Sequence, residues 1–318
     1  MTIISNDISK AIEILNKEDV VAIPTETVYG LAGNIYSEKA IRKIFEVKQR
    51  PLFNPLIVHI YSIEQIEEIA SEFPEKAQQL AETFWPGSLT LILPKKANIP
   101  AIITAGKDTV GVRIPNHPVT LGLLKELSFP LAAPSANPFN RISPTNALHV
   151  EGYFKNTISM VLEGGACENG IESTIIGFEN NEAVLYRLGS ISIEEIETVI
   201  GKIKIKNKEE KAPNAPGMLA KHYAPKTKTY LVNDVAKFIK DYENKRIGVL
   251  RFTGEINFSS IEHLEVLSKS GDLKEAAAKL YNALHRLDHL DLDMIVAETF
   301  PDFGLGKSIN DRLERASK

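Results

Sequence analysis

The chain has 318 residues, 43% hydrophobic and 25% charged, a balance that excludes disordered and fibrous classes and is long enough for two packed cores. A formal net charge of -4 gives no global positive field for long nucleic acid, and the single cysteine, Cys167, excludes an internal disulfide or a cysteine-rich zinc site. The opening MTIISNDISKAIEIL has no signal-peptide core, and no run approaches the roughly 20 apolar residues of a membrane span, so a cytoplasmic protein without membrane contact is expected.

DVVAI (19–23) reads as a buried strand, and it leads into PTETVYGLAGN (24–34). Pro24 takes the chain out of the sheet, Gly30 and Gly33 permit close backbone approach, and Thr25, Glu26 and Thr27 are presented at a strand end. Taken alone, these three side chains either satisfy one another in a turn or face a ligand. SEKAIRKIFEVKQR (37–50) reads as a helix capped by Ser37, with Ile41, Ile44 and Phe45 on one face. It ends in KQRPLFNP, where Lys48, Arg50 and Asn54 suit an anionic ligand, or where the two cations simply complement the helix dipole. PLIVHI (55–60) is the next strand. Ser62 and Gln65 stand at capping-box spacing before IEEIASEF, and a second helical stretch runs to Phe84 and Trp85.

SLTLIL, VGVRI, FPLAA, TISMVL, STIIGF and EAVLYRL supply further strands. They are too many and too often adjacent for a simple doubly wound sheet, so a mixed α/β domain is expected. Trp85, Pro86 and Gly87 form a turn read as core packing. Arg113 lies inside an otherwise apolar strand and must be paired, by a ligand carboxylate or by a protein one. APSANPFNRISPTNA (133–147) gathers Ser135, Asn137, Ser143, Thr145 and Asn146 with Arg141 in a Pro-punctuated loop, and IESTII and LYRLGS repeat the device with Ser173 and Arg187. Together Lys48, Arg50, Arg113, Arg141 and Arg187 predict a convergent anion cleft.

Residues 206–228 change character, from a charged run through Ala, Pro, Asn and Gly to an aromatic and basic cluster, and read as a linker between a catalytic domain (1–205) and a smaller domain (229–318). In the latter, strands alternate with helices, which predicts a parallel, Rossmann-like sheet without a GxGxxG fingerprint. GLGKS (304–308) is no P-loop, because the first glycine of that motif would fall at Pro301; a turn with Ser308 capping INDRLERA is expected instead. His285 and His289 are four apart on a helix, but Arg286 stands where a zincin needs glutamate, so a solvated helix face is expected and no metal site.

PTETVYGL, KQRPLFNPLIVHI, FWPGSLTLIL, VGVRIPNHP, APSANPFNRISPT, ESTII and LYRLG, in this order, resemble the YrdC-like domain of L-threonylcarbamoyl-AMP synthases, and APGMLAKHYAP with GLGKSINDRLERA resembles the long, two-domain form. The resemblance covers essentially the whole chain. It implies that L-threonine, bicarbonate or carbon dioxide, and ATP give threonylcarbamoyl-AMP and pyrophosphate, with Mg²⁺ accompanying ATP. It further implies that a separate threonylcarbamoyl transferase complex uses the product on tRNA. Carried over by motif, Thr27, His59, Arg113, Ala133 and Ser173 would line the threonine pocket; Arg50, Asn54, Thr109, Ser135, Ser143, Arg187 and Tyr223 would hold ATP; and Lys48 with Arg50 would face the phosphates. Carbamates lose carbon dioxide in water, so the linker is expected to act as a lid, through Lys221, His222 and Tyr223 with Gly217 as a flexible point. Two other readings compete: a carbamoyltransferase handling carbamoyl-adenylates, whose usual zinc-finger and acylphosphatase modules this chain lacks, and a non-catalytic module binding double-stranded RNA or tRNA, against which the acidic total charge and sparse aromatics argue.

Overall fold

The computed structural model describes residues 1–207, 216 and 222–318. The described residues of the first part build one mixed sheet of eleven strands: β1 (Ile3–Ser5), β2 (Val21–Ile23), β3 (Gly30–Asn34), β4 (Ile57–His59), β5 (Leu89–Pro94), β6 (Thr109–Arg113), β7 (Leu131–Ala132), β8 (Met160–Leu162), β9 (Thr174–Glu179), β10 (Glu182–Arg187) and β11 (Lys204–Ile205). Their order is β1-β8-β2-β3-β7-β4-β6-β5-β9-β10-β11. Parallel pairs such as β4 with β6 alternate with antiparallel ones such as β5 with β6, so the sheet is mixed, as the adjacency of the strands in the sequence requires. The helix Glu38–Lys48 is capped by Ser37, which accepts from the Ala40 N–H, and it buries Ile41, Ile44 and Phe45 on the sheet.

The sheet register brings the chemistry to one edge. His59 and Arg113 end the parallel strands β4 and β6 side by side, and Arg187 ends β10 opposite Ile175 at the start of β9. Gly30, where β3 begins, lets the segment after β7 dock on it: a Cβ there would stand 3.1 Å from that of Ala133. Leu31 donates to the Pro134 carbonyl and Ala136 to that of Tyr29, each at 2.7 Å.

The second domain is a parallel sheet of four strands, β12 (Thr229–Val232), β13 (Ile247–Arg251), β14 (Ile261–Val266) and β15 (Met294–Glu298), in the order β12-β15-β13-β14. Its helices Leu273–His289 and Leu305–Ala316 face the catalytic domain, and Val28, Ile142 and Ile171 share one apolar cluster with Leu280, Tyr281, Leu284, Ile309 and Leu313. The site therefore lies at a seam with a common core rather than beside a loosely tethered module.

Several local expectations give way. Ser62 caps nothing, Ile63–Gln65 is a single 3₁₀ turn, and the Gln65 side chain accepts from the Tyr61 N–H instead. The helix that follows, Ile66–Ile69, is only one turn. Ser308 lies within its helix, not at the start, and donates to the Gly189 carbonyl at 2.7 Å, while Gly304 occupies the cap position. The sequence contains hydroxyls at helix-start spacing in both places, but each finds a different partner in the folded chain. Of the linker, Gly217 and Lys221 lie outside the described residues.

Candidate functional site

A hollow at the strand ends is lined by Thr27, Arg50, His59, Arg113, Ala133, Ser135, Ser173, Arg187 and Tyr223, nine of the residues singled out in the sequence, with Glu172, Pro216 and His222 beside them. Its free space is about 50 Å³, room for one or two water molecules at roughly 30 Å³ each. Pro216, His222 and Tyr223 bring the linker onto the strand ends, and Tyr223, at φ 63°, is buried in the left-handed region that non-glycine residues seldom adopt.

One half of the hollow is built around Arg113. Its Nη2 donates to Glu26 Oε1 at 2.5 Å, Nη1 to Thr27 Oγ1 at 2.9 Å and Nε to the Gly87 carbonyl at 3.2 Å. Glu26 is held in turn by the Ser88 hydroxyl and the Asn116 N–H. The arginine buried in an apolar strand thus has its protein partner 87 residues away, and three of its five N–H groups are used, leaving two for a ligand. Thr25 Oγ1 donates to the Val28 carbonyl, so the 2.8 Å contact between Thr25 and Thr27 must use the Thr27 proton. Thr27 then faces the hollow as an acceptor. The turn reading of this segment is realised, since Thr25, Thr27 and Val28 satisfy one another, and of its three polar residues only Thr27 also lines the hollow.

His59 is buried beside Arg113. Burial first, and the Arg113 charge second, push its pKa down to about 3, and Nδ1 is 3.2 Å from the Ile57 carbonyl. Because a carbonyl only accepts, Nδ1 carries the proton and Nε2 is left as an acceptor. Ala133, with only a methyl group, walls the same side.

The other half gathers cations. Arg187 donates to the Ser173 carbonyl through Nε at 3.0 Å and Nη2 at 2.8 Å, to Ser173 Oγ at 2.9 Å, and to the Pro216 carbonyl at 3.3 Å. Arg50 is tied to the Asn54 and Pro55 carbonyls. Burial lowers the pKa of both guanidinium groups, and for Arg50 the Arg187 charge adds to it. Crowded like charges in a low-dielectric hollow favour an anion between them. Asn54, beside Arg50, is completely buried with both side-chain amide atoms unpartnered.

Five sequence candidates lie off the hollow, the buried Asn54 among them. Lys48 is buried behind its wall, where Nζ donates to the Ser135 and Asn137 carbonyls; burial, then the Arg50 charge, holds its pKa well below the ordinary lysine range. Ser143 is buried and donates to Glu172 Oε1 at 2.7 Å. Thr109 starts β6 opposite Pro94, four residues from Arg113, hence about 13 Å along the strand at roughly 3.3 Å per residue. Arg141 does not join the cleft at all: it pairs with Asp288 of the second domain at 3.0 Å.

Sequence reasoning missed the acids. Glu26 had been visible only as one polar residue among hydroxyls, and Glu172 only as the residue before Ser173; their partners are too distant in sequence for spacing to reveal. Glu172 meets Tyr281 and Arg312, 109 and 140 residues on. The helix face holding His285 is not solvated: His285 is buried, stacks on His149 with ring centroids 3.8 Å apart, and faces the Ser143 carbonyl. No group of three or more metal-binding side chains occurs among the described residues. The donor set does not fit a resident Mg²⁺ either, because Glu172, the one carboxylate lining the hollow, is paired with Arg312.

A family model described as telomere recombination, Sua5_yciO_yrdC, matches residues 13–189, and one described as threonylcarbamoyl-AMP synthase, C-terminal domain, matches residues 191–318. The threonylcarbamoyl-AMP synthase of Bacillus subtilis is 40% identical over 98% of this chain and 92% of its own, and that of Pyrococcus abyssi is 42% identical over 94% and 90%. The crystal structure of P. abyssi Sua5 complexed with L-threonine superposes with a TM-score of 0.93 at 39% identity, covering 99% of this chain and 98% of that one. Both domains, their order and the fold that joins them place the chain in the threonylcarbamoyl-AMP synthase family, in its long two-domain form.

Proposed function

We propose that the hollow joins L-threonine, bicarbonate or carbon dioxide, and ATP into threonylcarbamoyl-AMP, releasing pyrophosphate. The observation that carries this reading is the division of one buried space into an Arg113 half suited to a small amino acid and an Arg50–Arg187 half suited to polyphosphate. Arg113 offers its two remaining N–H groups to the threonine carboxylate. Thr27 and the Nε2 of His59, both acceptors, recognise the amine and the hydroxyl, and Ala133 adds a small apolar wall beside them.

In this reading the threonine amine attacks the carbon of carbon dioxide or bicarbonate to become a carbamate, its N–H proton passing to solvent in the first case and leaving within the expelled water in the second. A carbamate oxygen then attacks the α-phosphorus in line, and the bond to the β-phosphate oxygen breaks as pyrophosphate leaves. Arg50, Arg187 and, from behind the wall, Lys48 neutralise the developing negative charge, and Asn54 supplies an amide to the phosphates. Mg²⁺ belongs to the substrate as its ATP complex rather than to a protein site. Because the hollow as it stands has room for only one or two waters, His222 and Tyr223 move aside to admit ATP and threonine, then close over them and keep water from the carbamate.

Downstream, a separate threonylcarbamoyl transferase complex consumes the adenylate for modification of tRNA, and the reaction runs in the cytoplasm; no described helix is long and apolar enough to cross a membrane. The RNA-binding reading fits less well, because Arg113 and Arg187 are engaged by Glu26, Thr27 and Ser173 in a hollow beneath the linker rather than spread over an open basic face. The test is incubation of the purified protein with ATP, labelled bicarbonate and each amino acid in turn. A labelled adenylate with threonine is expected. Its absence would overturn the reaction, and equal signal with serine would overturn the selectivity.

A further inference from the structure

Two side chains of the second domain stand directly behind the wall of the hollow. Arg312, on the helix Leu305–Ala316, is wholly buried, as is Tyr281 on the helix Leu273–His289. Both converge on Glu172. Arg312 Nε and Nη2 each donate to Glu172 Oε2 at 3.1 Å, and the Tyr281 hydroxyl stands 3.1 and 3.0 Å from the two carboxylate oxygens. Glu172 immediately precedes Ser173, whose carbonyl and hydroxyl orient Arg187. On its other side the Arg312 guanidinium stands 5.3 Å from the centre of the Tyr223 ring, and Tyr281 lies 5.7 Å from that ring. One guanidinium thus touches both the wall of the hollow and the linker residue that covers it.

We propose that Arg312 and Tyr281 are positioning residues for ATP: they hold the Glu172 carboxylate away from Arg187, so that Arg187 stays directed at Ser173 and the nucleotide, and they seat Tyr223 over the same subsite. The inference rests on the adenylation reading. A carboxylate buried between two guanidinium groups goes to the one that meets it with two N–H donors, and here that is Arg312. Arg187 is the next cation acting on Glu172. Without Arg312, Glu172 keeps only the neutral hydroxyls of Ser143 and Tyr281 and draws Arg187 off Ser173, because a buried charge without a counter-ion is costly. The ATP subsite then loses its cation, while the Arg113 half, built on Glu26 and Thr27, keeps its geometry. In this way the second domain, which itself carries no substrate group, sets the competence of the first.

The experiment measures pyrophosphate release by the full-length protein with ATP or threonine varied. Arg312→Gln should raise KM for ATP at least tenfold with KM for threonine within threefold of the wild type. Glu172→Gln removes the charge that misdirects Arg187, so the double variant R312Q/E172Q should return KM for ATP to within threefold of E172Q alone. A double variant as impaired as R312Q, or an unchanged KM for ATP in R312Q, would overturn the proposal, since a purely structural role gives no such recovery. Should R312Q fail to fold, Tyr281→Phe decides: removal of one hydroxyl should raise KM for ATP about threefold at unchanged Tm, and an unchanged KM overturns the inference. Wild-type protein without turnover would overturn the adenylation reading, and the inference with it; active wild type with flat variants overturns the inference alone.

Discussion

Arg113→Lys separates charge from geometry at the amino-acid end of the hollow. The native guanidinium uses Nε, Nη1 and Nη2 on Gly87, Thr27 and Glu26, and these contacts fix the plane of its two remaining N–H groups, the pair proposed to bind the threonine carboxylate. Lysine keeps the charge and its bond to Glu26 but presents a compact ammonium in place of a planar fork. Losing one of two charge-assisted bonds, at about 1.5–3 kcal/mol, corresponds to a fall of roughly 10- to 150-fold in kcat/KM for threonine. The Gly87 carbonyl also loses its donor, which lowers stability by about 1–3 kcal/mol. Steady-state pyrophosphate release with threonine varied, alongside chemical denaturation, reads both effects, and KM for ATP should stay within about threefold. A change below threefold in kcat/KM for threonine, or an equal loss in the use of ATP, would refute the assignment of this arginine to the carboxylate.

Tyr223→Ala should raise KM for ATP at least tenfold while circular dichroism shows the catalytic domain still folded, with Tm lowered by the loss of a buried ring; unchanged kinetics would remove the lid. Gly189→Ala should cost about 1–3 kcal/mol and most of the turnover, since the added Cβ would lie 2.2 Å from the Thr174 amide nitrogen and 2.3 Å from the Ser173 carbonyl carbon; a fully active, equally stable variant would show that the Ser173 segment tolerates displacement. Stability should fall on acidification below neutrality. Burial holds His59 to a pKa of about 3 and His285 to about 4, both below the unfolded value near 6.5, so each contributes stability that is complete above that value and lost as pH falls toward the folded one. Between these limits the unfolded chain binds more protons, and each such histidine removes up to about 1.4 kcal/mol per pH unit; a flat urea midpoint from pH 7 to pH 5 would contradict this.

Much of the site was legible because its residues break local rules. A charge within TVGVR, a proline closing a strand, and a loop of serines and asparagines all point to one edge of a sheet before any contact is known. What stayed hidden are pairings across long chain separations. The sequence shows Arg113 and Glu26 but not that they meet, and it shows Glu172 without hinting that a tyrosine and an arginine of another domain complete it. Arg141 read as a cleft cation for the same reason, because its partner Asp288 lies beyond the linker. The helix Leu273–His289 misled through its setting: it packs against its own sheet on one side and the catalytic domain on the other, so a histidine spaced like a surface residue is buried. Helix starts at Ser62 and Ser308 failed because a hydroxyl at the right spacing caps only when no tertiary acceptor or competing turn claims the segment.

The buried meeting of Glu172 with Tyr281 and Arg312 also bears on protein engineering. Excising the catalytic domain as a minimal catalyst would leave an anion facing an exposed apolar scar, so the shortened chain should aggregate unless residue 172 is neutralised and the scar resurfaced. Grafting a second domain from a distant homologue would meet the same obstacle from the opposite direction, and would succeed only when the acid and its two recipients travel together.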